Sequence, residues 1–452
     1  MDRNLSMAVA LAGRVAAAGG RAYYVGGFVR DKLMGKEGKD IDIEIHGVTP
    51  DVLESILDSL GERTMMGVSF GVYGLRHYDL DIAMPRSETK TGRGHKDFTI
   101  DVDPFLGTEK AARRRDFTIN ALMQDVLSGE VIDHFGGLED LKKCRIKHVN
   151  DASFGEDPLR VLRAAQFAAR FEFDIAPETV ELCASMDLSA LAGERIMEEL
   201  NKALLKAKRP SIFFDCLRSM GQLGHWFPEV EALIGTPQEP RFHPEGDVYT
   251  HTMLVLDQAA LLRDDATFPR GLMLSALCHD FGKPKTTVRD ETGRIRSLGH
   301  ESAGVSLSDA FISRMNNEVR LKKYVANMVK LHMRPNALSA MGSGNKAYMK
   351  LLDEAVEPAD LLLLAKADHL GCGGERDYSR IEQLLQSKLE AYRELMQQPQ
   401  VRGEDLIQAG VKPGKQIGDA IAYAHGLHLS GIDHQTALVQ TLAWLKDVQT
   451  RH

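Results

Sequence analysis

Leu5, Val9, Ala12 and Val15 are spaced to share one face of a helix, so the chain is predicted to open with an amphipathic helix. RAYYV (21–25) has the aromatic and β-branched make-up of a strand, and Gly26-Gly27 turns it into a short helix ending at Gly35. KDIDIEI (39–45) alternates with strict period two. Asp40, Asp42 and Glu44 therefore project to one side, while Ile41, Ile43 and Ile45 point into a core. Thr49-Pro50 opens a helix through Leu60, with a polar cap and a proline in the first turn. VYGLR (72–76) and YDLDIA (78–83) read as paired strands, and the polar, Gly-containing stretch from Pro85 to Gly107 reads as a long loop. From about Asp151 the pattern is almost wholly helical, with turns at Pro210, at Gly235 to Pro244, at Gly293 and around Gly371 to Gly374. The patterning predicts an α/β head on a long helical body.

Composition narrows the class. A chain of 452 residues exceeds what one hydrophobic core serves, so two to four domains are expected. Apolar content of 43% and ordinary Gly and Pro exclude disorder and collagen-like repeats. No run approaches the ~20 apolar residues that span a bilayer. Met7 to Gly13 imitates a signal peptide, but Arg14 interrupts it. Five cysteines at 144, 183, 216, 278 and 372, with no CxxC pair, read as reduced, packed thiols of a cytoplasmic protein. A net charge of −8 neither demands nor forbids a nucleic-acid partner, because phosphate binding depends on where the basic residues lie.

The candidate chemistry starts at the period-two strand. Carboxylates side by side on one face repel unless a cation lies between them, and oxygen ligands at that spacing suit Mg²⁺. Asp79 and Asp81 repeat the alternation on a second strand and offer a third carboxylate. A bare DxD is more often the wet face of an edge strand. Here, however, Gly26 and Gly27 end a strand and open a helix whose backbone N–H groups can cradle phosphate, with Arg30 one turn in.

VGGFVRDKLMGKEGKDIDIEI resembles the first motif of the bacterial class II tRNA nucleotidyltransferases, the CCA-adding enzymes, and of their poly(A) polymerase relatives. GVSFGVYGL (67–75), DIAMPRSE (81–88), RRDFTINAL (114–122), DHFGGLEDL (133–141), EDPLRVLRAAQFAARF (156–171) and GERIMEEL (193–200) resemble the later motifs in the same order. The resemblance implies a head with the mixed sheet of the DNA polymerase beta superfamily over 1–148, and a neck with a base-selecting helix over 149–215. A helical body follows over 216–375, and a helical, tRNA-binding tail over 376–452. It implies CCA addition to tRNA from CTP and ATP without a nucleic-acid template, with Asp40, Asp42 and Asp81 catalytic and Asp40 and Asp42 holding Mg²⁺. Gly26, Gly27, Arg30, Arg115, Asp116, Asn120, Asp157, Arg160 and Arg163 would bind the nucleotide. Arg115 and Asn120 read as helical and about 140° apart, flanking one nucleotide at a helix end. Asp157 and Arg160, at i and i+3, would read the amine-bearing pairing edge that C and A share. Gln166 stands where the family usually has an arginine. The loop with Arg86, Glu88, Lys90, Arg93, His95 and Lys96 matches the one kept by enzymes that add the terminal A.

In the body, His279-Asp280 ends an apolar helix, and His251, His300, His332 and Asp368 lie on other segments. The set resembles the HD-superfamily metal phosphohydrolases. It implies His251, His279, Asp280 and Asp368 as ligands of Mn, Ni, Co or Mg, with His300 and His332 either serving a second ion or lying on the surface. VKPGKQIG (411–418), with Lys412 and Lys415, and the basic clusters at Lys202 to Arg209 and Arg320 to Lys323 are candidate RNA contacts. Two rival readings stay open: a CC-only, A-only or poly(A)-adding enzyme of the same family, and an HD phosphohydrolase with a nucleotide-sensing head. Neither a membrane nor an obligatory protein partner is expected.

Overall fold

Asp2 caps the first helix, α1 (Arg3–Ala17), by accepting from the Asn4 N–H, and the helix buries Ala8, Leu11, Ala12 and Val15. Val9, expected on that face, is exposed: at about 100° per residue it lies a quarter-turn beyond Ala8. Then come β1 (Arg21–Val25), α2 (Gly27–Leu33), β2 (Ile41–His46), α3 (Pro50–Leu60), β3 (Arg63–Met66), β4 (Val72–Leu75) and β5 (Leu80–Ala83). Further on lie β6 (Arg86–Lys90), β7 (Phe98–Val102), α4 (Thr108–Arg113), β8 (Met123–Asp125) and β9 (Val131–Ile132). Seven of these strands form one mixed sheet in the order β3-β4-β5-β2-β1-β8-β9.

Ile41, Ile43 and Ile45 are buried, as the alternation requires, and pack with Leu11, Val15, Leu53, Leu57 and Ile82 in the core between sheet and helices. The stretch expected as one long loop differs. Arg86–Lys90 and Phe98–Val102 pair as an antiparallel hairpin, Arg86 opposite Val102 and Lys90 opposite Phe98. The polar, Gly-containing composition of the stretch carried no strand signal.

The computed structural model describes residues 2–36, 40–66, 72–90, 98–374 and 376–450. Lys39, residues 67–71 of the expected second segment, and Arg93, His95 and Lys96 of the expected loop lie outside the described residues. Contacts divide the chain into two units, residues 1–203 with 212–225 and residues 204–211 with 226–452. In the first unit the sheet is followed by helices that include Leu159–Phe171 and Pro177–Ala184. The second is almost wholly helical; its short pair Val288–Arg289 and Ile295–Arg296 is the exception among the described residues. Its last segments have cores of their own, around Tyr348, Leu352, Leu385 and Leu389 and around Leu406, Ala420, Ala437 and Leu445. No helix is long and apolar enough to cross a membrane among the described residues. All five cysteines are free, and Cys144 is exposed rather than packed.

Candidate functional site

The carboxylate face is built by strand register. β2 and β5 run parallel with Asp42 directly opposite Asp81, so their side chains share one face of the sheet. Asp40 precedes β2 and is exposed, while Asp42 is partly buried. Burial pushes the Asp42 carboxyl up to about 6; the Arg115 charge opposes this, and Asp81 and Asp40 reinforce it. Packing like charges together while removing them from water is costly unless a cation joins them.

Gly26 ends β1 at φ +63° and caps α2, a conformation that favours glycine. A Cβ there would stand 3.0 Å from Arg115 Nη1 and 3.5 Å from Asp42 Oδ2. The glycine turn, the arginine and the carboxylate therefore converge on one place. Arg115 lies after the end of α4 rather than on a continuous helix, and Asn120 ends the 3₁₀ turn Thr118–Asn120, so the expected single-helix geometry is replaced by a helix end, a bend and a turn. Glu44 Oε2 accepts from Arg115 Nη2 at 3.3 Å, and Glu44 Oε1 lies 2.8 Å from His46 Nε2. Glu44 thus holds the arginine toward the carboxylates, a role the alternation alone did not reveal.

Arg30, Asp116, Asn120 and Arg163 form one buried chain of bonds. Arg30 Nη1 donates to Asn120 Oδ1 at 2.6 Å, and Asn120 Nδ2 donates to Asp116 Oδ1 at 2.9 Å. Arg163 donates from two nitrogens to Asp116 Oδ2, the Nε at 2.8 Å. Burial opposes the Asp116 charge, but Arg163 and the Asn120 bond outweigh it and hold its carboxyl below the usual range. Arg30 is 4% exposed, and its guanidinium lies 4.6 Å from the Phe171 ring centroid. These side chains are bonded to one another, Arg30 to Asn120 and Asn120 to Asp116. They tie α2, the 3₁₀ turn and helix Leu159–Phe171 together.

Asp157 stands just ahead of that helix, not on it, and Asp157 Oδ1 accepts from the Leu159 N–H at 3.1 Å. Asp157 Oδ2 pairs with Arg195 at 3.2 Å, while Arg160 donates to the Ser153 and Arg114 carbonyls at 2.6 and 2.9 Å. The two expected base readers are thus each fixed by other groups and are not paired with each other. Arg195, missed in the sequence, lies within GERIMEEL. Gln166 is 1% exposed with no hydrogen bond to Nε2, so its position faces the interior.

In the second unit, helices Val248–Leu262, Pro269–Cys278 and Pro358–Leu370 bring His251, His279, Asp280 and Asp368 together. His251 Nε2 lies 3.0 Å from Asp368 Oδ1, 3.4 Å from His279 Nε2 and 3.8 Å from Asp280 Oδ2. His300 and His332 are buried, not surface histidines: their Nε2 atoms lie 3.4 Å apart, and His300 Nε2 is 3.4 Å from Asp280 Oδ1. A side chain at Gly282 would collide with the His300 carbonyl, so glycine is what lets these segments meet. Both Asp280 oxygens are buried without a well-formed hydrogen bond, although Lys283 Nζ stands 2.6 Å from Oδ2. Burial drives the His332 imidazole down to about 3, helped by the His279 charge, which leaves it neutral with a lone pair to give. Buried carboxylate oxygens without well-formed hydrogen bonds, gathered with imidazole nitrogens, are a donor set that fits a divalent cation.

Three neighbours went unnoticed in the sequence. Glu245 Oε1 lies 2.9 Å from His243 Nδ1 and 2.8 Å from His251 Nδ1, and Cys372 Sγ is 4.0 Å from His243 Nδ1. Burial raises the Cys372 thiol, but its histidine contacts outweigh that and hold it below the ordinary value. A cleft of about 330 Å³ lined by Lys283, His300, His243, Arg294 and Arg296 leads to the cluster.

The sheet, its carboxylate face and the helical histidine–aspartate cluster define a nucleotidyltransferase head on a chain that also carries an HD domain. Family descriptions match accordingly: "Poly A polymerase head domain" over 22–147, "Probable RNA and SrmB- binding site of polymerase A" over 172–234, and "HD domain" over 248–371. The multifunctional CCA protein of Cupriavidus metallidurans is 37% identical over 386 residues, 81% of this chain and 89% of that one. That of Pasteurella multocida is 37% identical over 412 residues, 86% and 92% of the two chains. The chain belongs to the family of the multifunctional CCA proteins. Its fold is also that of a Bacillus stearothermophilus CCA-adding enzyme in complex with CTP (TM-score 0.69, 18% identity, all of both chains). A Thermotoga maritima CCA-adding enzyme complexed with tRNA gives a TM-score of 0.65 at 22% identity over 98% and 96% of the chains.

Proposed function

We propose that the head adds C, C and A to the 3′ end of tRNA from CTP and ATP, with Asp40, Asp42 and Asp81 as the carboxylates that hold Mg²⁺. The observation that carries this reading is Asp42 in register with Asp81, beside a glycine turn and Arg115. Magnesium bound there supplies charge neutralisation at the triphosphate and acidifies the attacking hydroxyl. The chain's own groups do the positioning. Backbone N–H groups at Gly26 and Gly27 and the Arg115 guanidinium receive phosphate oxygens. The buried chain from Arg30 to Arg163 keeps helix Leu159–Phe171 in place, so that Asp157 and Arg160 meet the incoming base. Asp157 keeps acceptor capacity after its two bonds and Arg160 keeps donors after its two. An acceptor facing the exocyclic amine admits C and A and leaves U or G with an unpaired buried acceptor. Labelled C and A should therefore enter trimmed tRNA, and labelled U and G should not; equal entry of all four would refute the base reading.

Residues 1–148, 149–215, 216–375 and 376–452 then act as head, neck, body and RNA-binding tail, in the cytoplasm. The buried HD cluster favours a second activity, a phosphohydrolase whose ion is held by His251, His279, Asp280 and Asp368, with His300 and His332 beside a second position. Lys283, Arg294 and Arg296 give its cleft the charge to receive a phosphoester. His279→Ala is expected to remove hydrolysis of a model phosphoester and leave nucleotide addition within about twofold. Loss of both activities would contradict separate sites, and retention of hydrolysis would contradict the HD cluster as the hydrolytic site.

A further inference from the structure

We infer that Glu245 is a positioning residue of the HD site: it holds the proton of His251 on Nδ1 and so turns the Nε2 lone pair toward the ion. The inference rests on the reading of the HD cluster as a metal site and adds to it a residue outside the ligand set.

His251 is fully buried and has only two nitrogens to offer. Its Nε2 faces the other three expected ligands, with Asp368 at 3.0 Å, His279 at 3.4 Å and Asp280 at 3.8 Å. A ligand nitrogen must be unprotonated, so the neutral ring carries its proton on Nδ1, and there Glu245 Oε1 accepts at 2.8 Å. The Glu245 side chain is 3% exposed, so water does not readily replace it as acceptor. The same oxygen accepts from His243 Nδ1 at 2.9 Å, which fixes the carboxylate from the opposite side. Gly373 packs beside the other oxygen: a Cβ there would stand 3.5 Å from Oε2. A carboxylate held this way fixes both the tautomer and the ring plane, and it makes Nε2 a stronger donor to the ion.

An alternative use of these groups is a separate metal site of His243, Glu245, His251 and Cys372, whose donor atoms lie within 4.8 Å of one another. It would require His251 to give up both ring protons at once. Two N–H groups meeting one carboxylate oxygen at 2.8 and 2.9 Å form ordinary hydrogen bonds instead.

The test is titration of the full-length protein with Ni²⁺, carrying Asp42→Asn to silence the head. Glu245→Ala should weaken the tightest Ni²⁺ site by about 10–100-fold. Glu245→Gln, whose amide oxygen still accepts from Nδ1, should recover most of that loss. Unchanged affinity in a folded Glu245→Ala protein would overturn the inference, as would equal losses in the two variants. His279→Ala must abolish the tight site. Were it to survive, the HD reading itself would fall, whereas its loss beside normal binding in Glu245→Ala would remove only the role of Glu245. Cys372→Ser should leave the number of ions bound unchanged, and one ion fewer would make the cluster a site of its own. Independently of any variant, histidine ¹⁵N spectra of the Zn²⁺-loaded protein should show His251 protonated at Nδ1 and metal-bound at Nε2. The reverse assignment would overturn the proposal.

Discussion

Asparagine in place of Asp42 is expected to abolish nucleotide transfer while making the metal-free protein harder to unfold. The two effects share a cause. The carboxylate stands beside Asp81 and Asp40 in a partly buried place, and without a cation there its charge is a liability: burial raises its pKa from the ordinary 3.8 to about 6. A carboxyl whose folded pKa lies above its unfolded one stabilises the fold fully only below the unfolded value, and that contribution is lost as pH rises through about 6. At neutral pH the penalty, with the attraction to Arg115 already counted in that pKa, approaches ~3 kcal/mol, and asparagine removes it for a gain of about 1–3 kcal/mol. Transfer should fall by about 10³-fold or more, because electrostatic stabilisation and metal ligation fail together. Denaturant unfolding with a chelator present checks the stability half: the advantage of Asp42→Asn should shrink as pH drops from 7.5 toward 4. A pH-independent difference would show that the carboxylate is not under this strain.

Asp116→Ala is expected to be the most destabilising single change in the head. Asp116 takes two donors from Arg163 and one from Asn120, which itself receives Arg30. Its loss leaves the part-buried Arg163 and the buried Asn120 amide without their acceptor, a defect that costs about 1–3 kcal/mol or more. Because its carboxyl is held below the usual range, the stability it provides is present above the unfolded pKa near 3.8 and disappears as pH falls through the folded value. Urea unfolding at pH 7 should therefore separate Asp116→Ala widely from the parent, and the gap should close in acid. A loss under about 1 kcal/mol would mean that the chain of bonds does not hold the neck helix.

Period-two alternation exposed β2 in the sequence because one side is isoleucine and the other carboxylate, and burial followed the pattern from Ile41 to Ile45, with the buried His46 breaking it at the end of the strand. The hairpin of Arg86–Lys90 and Phe98–Val102 was hidden because the surrounding stretch is polar and Gly-containing and shows little period-two alternation of apolar residues. Val9 was misplaced because a four-residue step drifts around a helix, and only the packed neighbours show which edge of the stripe is covered. The motif resemblance pointed to Asp42, Asp81 and Arg115, which meet at the glycine turn, and to His251, His279, Asp280 and Asp368, which cluster in the second unit. It could not tell which residues touch one another. Asp116 and Arg163 form a bidentate pair across 47 positions, and Asp157 leans on Arg195 across 38. Pairings at that separation have no local signal. Glu245 and His243 escaped notice because they are set by the turn before helix Val248–Leu262, and only the fold carries that turn against Cys372.

The most direct test of the central claim is the length of product formed on tRNA that lacks its last three nucleotides. With CTP and ATP together, the protein should extend the substrate by three nucleotides, ending in A, and stop. With CTP alone it should stop after two. A long A tail, or no extension by a protein whose Asp42 is intact, would contradict the account.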